Sequence, residues 1–280
     1  AIKQCTMNDK IESKLANVPE TMLITLWAKA TETERADALI KDEKAVEMMG
    51  KIDYDFSKLK KASFSQSGCC VRARLIDMEA KAFLKDNPDA VVIQLGAGID
   101  ARYERLGKPK VGHWYDLDLP EAIELRRKLL QESDENTFLA QSLFDYSWCD
   151  KVKATGKPAL IIIEGVMMYF DPEAVKSFFT TIAQRLDNAV VLFDMLAFAL
   201  VGNTKKHDSL KKMGKEVEFK WSMLNTKDME TWNNRLHLDK EYYMSDHDHG
   251  RFPFIFRMLY HIPYFYRRFN QRVVKLKIGD

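Results

Sequence analysis

Hydrophobic positions change their period part-way along the chain. Up to about residue 90 they recur at helical spacing. Leu23, Leu26, Trp27 and Ala30 follow Pro19, and Leu75, Met78, Ala82 and Phe83 mark one face of a stretch from Val71 to Lys85. Between them a helix is expected over Asp37 to Met49, with the charged Lys51 to Lys61 as a connection. Asn87-Pro88 ends the helical part, because the residue before a proline disfavours the α region. From residue 91 the apolar positions run together instead. Val91-Val92-Ile93-Gln94-Leu95 and Leu160-Ile161-Ile162-Ile163 have the texture of strands buried on both faces. His113 to Leu117, Thr137 to Ala140 and Ala189 to Asp194 read as further strands. Helices are expected from Pro120 to Gln131 and after Asp171-Pro172, where Asp stands at the N-cap and Pro at the first helical position. Strands alternating with helices imply an α/β fold with a parallel sheet covered on both sides.

The remainder is less regular. Gly202 to Ser222 is lysine-rich and reads as a lid or insertion, with lysines between 205 and 215 as a basic surface or a solvated helix face. Thr226 to Asn234 reads as a helix and Leu236 to Met244 as a late edge strand. The tail from Phe252 to Lys277 interleaves aromatics with arginines, and suits a partner surface or a cover over the sheet edge equally. The economical organisation is one domain over residues 1–280: a helical cap (1–88), a cofactor-binding core (89–200), and a lid with the last part of the sheet (201–280).

Charge narrows the partners. Across 280 residues, 43 Lys and Arg stand against 41 Asp and Glu, so no excess of positive charge suggests a nucleic acid. No stretch of about 18 apolar residues occurs, so neither a membrane span nor a membrane partner is expected. Ala1 to Asp9 has no apolar run of signal-peptide length. Cys5, Cys69, Cys70 and Cys149 fit no zinc or disulfide spacing and read as free thiols of a cytoplasmic protein. His247 and His249, flanked by Asp246 and Asp248, read as a polar turn rather than a metal site.

Three pieces carry chemistry. Gln94-Leu95-Gly96-Ala97-Gly98-Ile99-Asp100 follows the first strand, where open α/β sheets hold ligands and glycines let the backbone approach them. Asp118 lies 20 residues beyond Gly98, at the end of the second strand. An acid there accepts both hydroxyls of a cofactor ribose, or caps the helix that begins at Pro120, with Asp116 also available. Glu164 ends the fourth strand in Ile163-Glu164-Gly165-Val166-Met167-Met168-Tyr169. Its carboxylate would repel a dinucleotide pyrophosphate but complements the ammonium and sulfonium of S-adenosylmethionine. Position 101 is alanine, so the third glycine of a dinucleotide fingerprint is missing. Nothing like the Asn-Pro-Pro-Tyr of base methyltransferases occurs.

Together VIQLGAGIDAR (Val92 to Arg102), WYDLDLPE (Trp114 to Glu121) and IEGVMMY (Ile163 to Tyr169) resemble the leucine carboxyl methyltransferase family. That group also takes in polyketide O-methyltransferases of the tetracenomycin type. The likeness runs from Pro19 to Asp194, about three-fifths of the chain. It implies a Rossmann-like class I methyltransferase with a mostly parallel seven-stranded sheet, S-adenosylmethionine as cofactor and no metal. By resemblance, Arg72 in VRARLID contacts the cofactor carboxylate, with Arg74 as the alternative register. Gly96, Ala97 and Gly98 line the methionine side, Asp118 and Leu119 the ribose, and Glu164 the amino-acid end. Where the family has an Asp-Leu pair at the adenine, this chain has Ser142-Leu143, with Asp145 nearby. Lys29 is the candidate for a cofactor-contacting lysine of the N-terminal part.

An acceptor carboxylate is ionised at neutral pH and needs no general base; a hydroxyl acceptor would, and Tyr169 is the positioning candidate in either case. The implied activity is O-methylation of a small molecule such as a polyketide-like acid. A protein C-terminal carboxylate is the alternative acceptor, and a non-catalytic cofactor-binding regulator the alternative class. The acceptor is expected against Thr21 to Thr33 and about Val201 to Trp232.

Overall fold

The computed structural model describes residues 20–202 and 218–280. The lysine-rich stretch 205–215 lies outside the described residues.

Helix α1 (Glu20–Thr33) and α2 (Glu43–Lys51) precede the long α3 (Ser63–Asp86). Two of the expected boundaries move. α2 begins at residue 43 and not 37, because Asp42 is the cap: its Oδ1 accepts from the Ala45 backbone N–H at 2.8 Å. α3 begins eight residues earlier than expected (71 − 63 = 8). Its first turns, Ser-Phe-Ser-Gln-Ser-Gly, carry no apolar period. They are held from outside: Gln66 is buried against α1 and donates to Glu32 at 3.0 Å.

β1 (Val91–Leu95), a one-turn α4 (Arg102–Arg105), β2 (His113–Asp118), α5 (Pro120–Leu129), β3 (Asn136–Ala140), α6 (Ser147–Lys153), β4 (Ala159–Ile163), α7 (Pro172–Arg185) and β5 (Ala189–Met195) form the alternating core. Asp171 stands at the N-cap of α7, but its side chain makes no capping bond there. The fixed φ of Pro172 and burial of Val175, Phe178, Phe179 and Ile182 account for that helix. Thr226–Thr231 is a 3₁₀ segment, shorter than the expected helix. β6 (Leu236–Tyr243), α8 (Phe254–Leu259), α9 (Pro263–Arg268) and β7 (Arg272–Ile278) complete the chain.

The seven strands lie in the order β3-β2-β1-β4-β5-β7-β6. β1 to β5 pair in parallel, and β7 is antiparallel to both β5 and β6. Strand alternation splits the core into two layers. Ile93, Ile161, Ile163 and Phe193 pack on α6 and α7 through Trp148, Phe178 and Phe179. Val92, Leu160, Ile162 and Leu192 pack on α3 through Val71, Leu75 and Ile76. Both faces are buried, which is why these strands read as unbroken apolar runs. α1 and α2 pack with α5 in a separate cluster at one end. The fold is a Rossmann-like, mostly parallel seven-stranded sheet, with β6 at the edge where a late strand was expected.

Candidate active site

The parallel strands all end on one side, and a cavity of about 1120 Å³ opens there. One drug-sized ligand needs roughly 300–1,000 Å³, so a cofactor and a second molecule can share this space. Arg72, Gly96, Ala97, Gly98, Asp118, Leu119, Ser142, Leu143, Glu164 and Tyr169 all line it, as does Lys29. Arg74, Asp116 and Asp145 do not. Arg74 reaches Asp248 at 2.5 Å. Asp145, just before α6, accepts from the Ser147 N–H at 3.2 Å. Asp116 is fully buried in a pair with Arg126 at 2.9 Å and is not available to a ligand.

The turn after β1 is shaped by two residues at positive φ, Gly96 at 68° and Gly98 at 50°. A Cβ on Gly96 would stand 2.4 Å from Val166 Cγ2, so the loop leaves room for no side chain there. Ala97 N–H donates to the Leu117 carbonyl at 3.0 Å, tying the turn to β2. Arg126 of α5 holds it from behind, donating to the carbonyls of Gly98 at 3.1 Å and Asp100 at 2.8 Å. Asp118 receives the Gly98 N–H on Oδ2 and the Leu119 N–H on Oδ1, each at 2.7 Å. Each oxygen keeps a lone pair for another donor. Burial pushes the Asp118 carboxyl above its usual value, against the pull of those two N–H groups. Neutralising hydrogen bonds to its remaining lone pairs would favour the ionised form.

The other end of the cavity is ionic. Glu164 accepts from Arg72 Nε at 3.0 Å and from Arg102 Nη2. Arg72 also reaches Asp194 at 3.2 Å, and Asp194 accepts from the Gly165 N–H at 2.6 Å. Lys29 pairs with Asp100 at 2.7 Å. Arg102 and Arg105 both reach Asp77 at 2.7 Å, and Arg105 reaches Asp42 at 2.8 Å. Burial raises the Glu164 carboxyl, but Lys29, Arg102 and Arg72 outweigh it and bring it down to about 2. Asp100 is likewise held well below the usual range, by Lys29, Arg105 and Arg102 against the cost of burial. Glu164 lies on the cavity wall as one member of a network of paired carboxylates and cations. Gln94, Asp77, Asp100, Arg102, Arg105 and Asp194 escaped the sequence reading as site residues. Gln94, Asp100 and Arg102 lay inside the first quoted motif and Asp77 at the end of VRARLID, whereas Arg105 and Asp194 lay in neither.

The chemistry of these groups fits S-adenosylmethionine. Gln94 Nε2 donates to Asp100, which leaves its buried Oε1 on the cavity wall with no hydrogen-bond partner. A buried acceptor without a donor costs about 1–3 kcal/mol, so an ammonium there is favoured. Arg72 Nη2 has no hydrogen-bond partner among the described residues and lies 3.5 Å from where a Cβ on Gly165 would stand. It suits a carboxylate. Among the described residues no group of His, Cys, Asp and Glu could hold a metal.

The profile of the leucine carboxyl methyltransferases matches residues 22–183, more than half the chain. The chain belongs to that family. It is 31% identical over 233 residues to the tetracenomycin polyketide synthesis O-methyltransferase TcmP of Streptomyces glaucescens, covering 83% of this chain and 85% of that protein. It is 29% identical over 244 residues to the S-adenosyl-L-methionine-dependent methyltransferase dpfgK of Gibberella zeae, covering 80% and 81%. A DUF574-family protein of Streptomyces avermitilis superposes with a TM-score of 0.55 over 90% of this chain and 96% of that one, at 10% identity, which shows a shared fold. This leucine carboxyl methyltransferase relative is thus an S-adenosylmethionine-dependent methyltransferase.

Part of the cavity wall is apolar and aromatic: Phe64, Met168, Phe219, Phe252, Phe256 and Phe269 line it. Three of these come from the tail after β6, which the sequence reading left as either a partner surface or a cover. Of the segment Thr21 to Thr33, Thr21, Met22, Ile24, Thr25 and Lys29 line the cavity. Of the expected segment 201–232, Phe219 reaches the cavity. No histidine lines it among the described residues. Burial raises the Tyr169 hydroxyl to about 12, and Thr21 hydrogen-bonds with it.

Proposed function

We propose that the chain methylates a carboxylate oxygen of a small, largely apolar acid. The observation that carries this is that, among the described residues, no usable base stands beside the aromatic part of the cavity. Tyr169 stays protonated at neutral pH. Glu164 and Asp100 are held as ion-paired, weakly basic carboxylates. A carboxylate acceptor is already ionised and needs no base. The Streptomyces glaucescens relative, a tetracenomycin polyketide synthesis O-methyltransferase, supports the same oxygen chemistry.

In this reading Asp118 and Leu119 hold the ribose, and the backbone of Gly96, Ala97 and Gly98 lies along the methionine side. Lys29 and Arg72 take the cofactor carboxylate, Gln94 and Glu164 face its ammonium, and Ser142 and Leu143 form the adenine wall. S-adenosylmethionine, when bound, supplies a methyl group activated by its sulfonium. The residues then have one task, to keep the acceptor oxygen in line with that methyl group and water out. Alignment of this kind contributes roughly 7–11 kcal/mol in favourable cases. The aromatic walls restrict the acceptor, and the protonated Tyr169 hydroxyl is a donor that can orient its oxygen. The described cysteines are free thiols, in keeping with a cytoplasmic enzyme.

The test is a panel of apolar acids, their phenol counterparts and a peptide with a free C-terminal carboxylate, assayed with labelled cofactor. The expected product is a methyl ester, which mild base hydrolyses with release of labelled methanol. A base-stable ether would make the acceptor a hydroxyl, and preference for the peptide would make it a protein terminus. Cofactor binding without turnover across the panel would favour a regulator. Asp118→Ala is expected to weaken cofactor binding about 10- to 100-fold in calorimetry, the loss of hydrogen bonds to a charged group.

A further inference from the structure

α8 and α9 present two opposite faces. Inward, Phe256 and Tyr260 line the cavity, and the helices hold each other through Phe265, whose ring centroid is 5.2 Å from that of Tyr260. Outward, Phe254, Ile255, Met258, Ile262 and Tyr264 are 51% to 67% exposed. Phe254, Ile255 and Met258 stand at i, i+1 and i+4, one side of α8. Five large apolar side chains beside one another in solvent mark an interaction surface more often than chance exposure.

The charge carried by these two helices is of one sign, and Asp246 beside them accepts from the Tyr266 hydroxyl at 2.5 Å. The stretch 250–279 contains no Asp or Glu, in a chain that has 41 of them. Its basic residues divide into two sets. Arg251, Arg272, Lys275 and Lys277 are spent on ion pairs with Glu32, Glu241, Glu79 and Asp239. Arg257, Arg267 and Arg268 have no ion pair among the described residues. Two of the three lie on the exposed aromatics themselves: the Arg257 guanidinium carbon is 5.5 Å from the Phe254 ring and that of Arg268 is 4.3 Å from Tyr264.

We propose that this outer face docks on an anionic lipid surface. Exposed aromatic and aliphatic side chains with unpaired arginines among them match an interfacial helix, which buries its apolar side at the headgroup boundary while the basic groups meet lipid phosphates. A second copy of the chain fits less well. A symmetric dimer through this patch would set arginines against arginines. No helix among the described residues is long and apolar enough to cross a membrane. The expectation of no membrane partner rested on the lack of a span, and a surface-bound cap is a separate case. The same two helices roof the aromatic part of the cavity, so docking would bring its apolar roof to where apolar acids concentrate.

The experiment is co-sedimentation of the full chain with vesicles of phosphatidylcholine alone or mixed with phosphatidylserine, at low and high salt. Binding is expected to the mixed vesicles only, and to weaken with salt. Arg257→Glu with Arg267→Glu should weaken it at least about tenfold. Phe254→Ser with Ile255→Ser should abolish it. Both pairs should keep the cofactor affinity of the unaltered protein in calorimetry, which shows that they fold. No sedimentation with the anionic vesicles, or sedimentation unchanged in the folded variants, overturns the proposal. So does a dimer in light scattering that Phe254→Ser with Ile255→Ser dissociates, which would assign the face to a second copy.

Discussion

At the scale of single residues, the site is a set of charges whose burial is tolerated only because they neutralise one another. Glu164, between Arg72 and Arg102, is the member whose titration can be followed. Its folded value of about 2 lies below the ordinary 4.5. A depressed carboxyl stabilises the fold above its unfolded value, and that contribution is lost as pH falls from about 4.5 towards 2. Asp100 and Asp77 are also lowered and act in the same direction. Asp118 and Asp194 are raised by burial and act in the opposite one. Urea unfolding measured through this window should therefore show stability falling with acid, and Glu164→Gln should flatten the slope. An unchanged slope would mean that the network does not hold Glu164 ionised. At pH 7 Glu164→Ala should cost about 3–5 kcal/mol, because it leaves two buried guanidinium groups short of a partner.

At the scale of elements, the tail helices matter to the acceptor and the strand ends matter to the cofactor. Phe256 belongs to α8 and lines the aromatic part of the cavity. Phe256→Ala should raise the acceptor KM several-fold while the cofactor Kd stays within about twofold, since its ring makes uniform contact with one ligand only. A matching loss of cofactor affinity would mean that the roof also shapes the cofactor half. The elements themselves were legible to different degrees. β1 was readable to the residue, because five apolar-rich positions between a proline turn and a glycine turn admit little else. The start of α3 was not, since Gln66 is buried by contact with α1, and that contact has no imprint on local periodicity. Nor was β7, whose Arg272-Val273-Val274-Lys275-Leu276-Lys277-Ile278 alternates like a strand but stands behind an aromatic run that masks it.

At the scale of the whole molecule, β7 closes the sheet from the end of the chain. It lies between β5 and β6, and Val273, Val274 and Leu276 are wholly buried. Deleting residues 272–280 should abolish cooperative unfolding by circular dichroism and not merely lower the midpoint, because both neighbouring strands lose their ladder partner. A cooperative transition in the truncated chain would show that the first five strands suffice.

The amino-acid sequence alone determined the period change near residue 90, the parallel strands, the glycine turn, and the two strand-end acids, Asp118 and Glu164. Each of these is a local signal: short-range sterics and side-chain alternation dictate it without reference to the rest of the chain. The tertiary structure decided the rest. It selected Arg72 over Arg74 and Ser142 over Asp145 for the cavity wall, surrounded Glu164 with arginines from two helices, and carried the aromatic tail onto the cavity. Those outcomes depend on which surfaces meet across the sheet, and contacts between residues as far apart as Arg72 and Asp194 leave no period or spacing to be read.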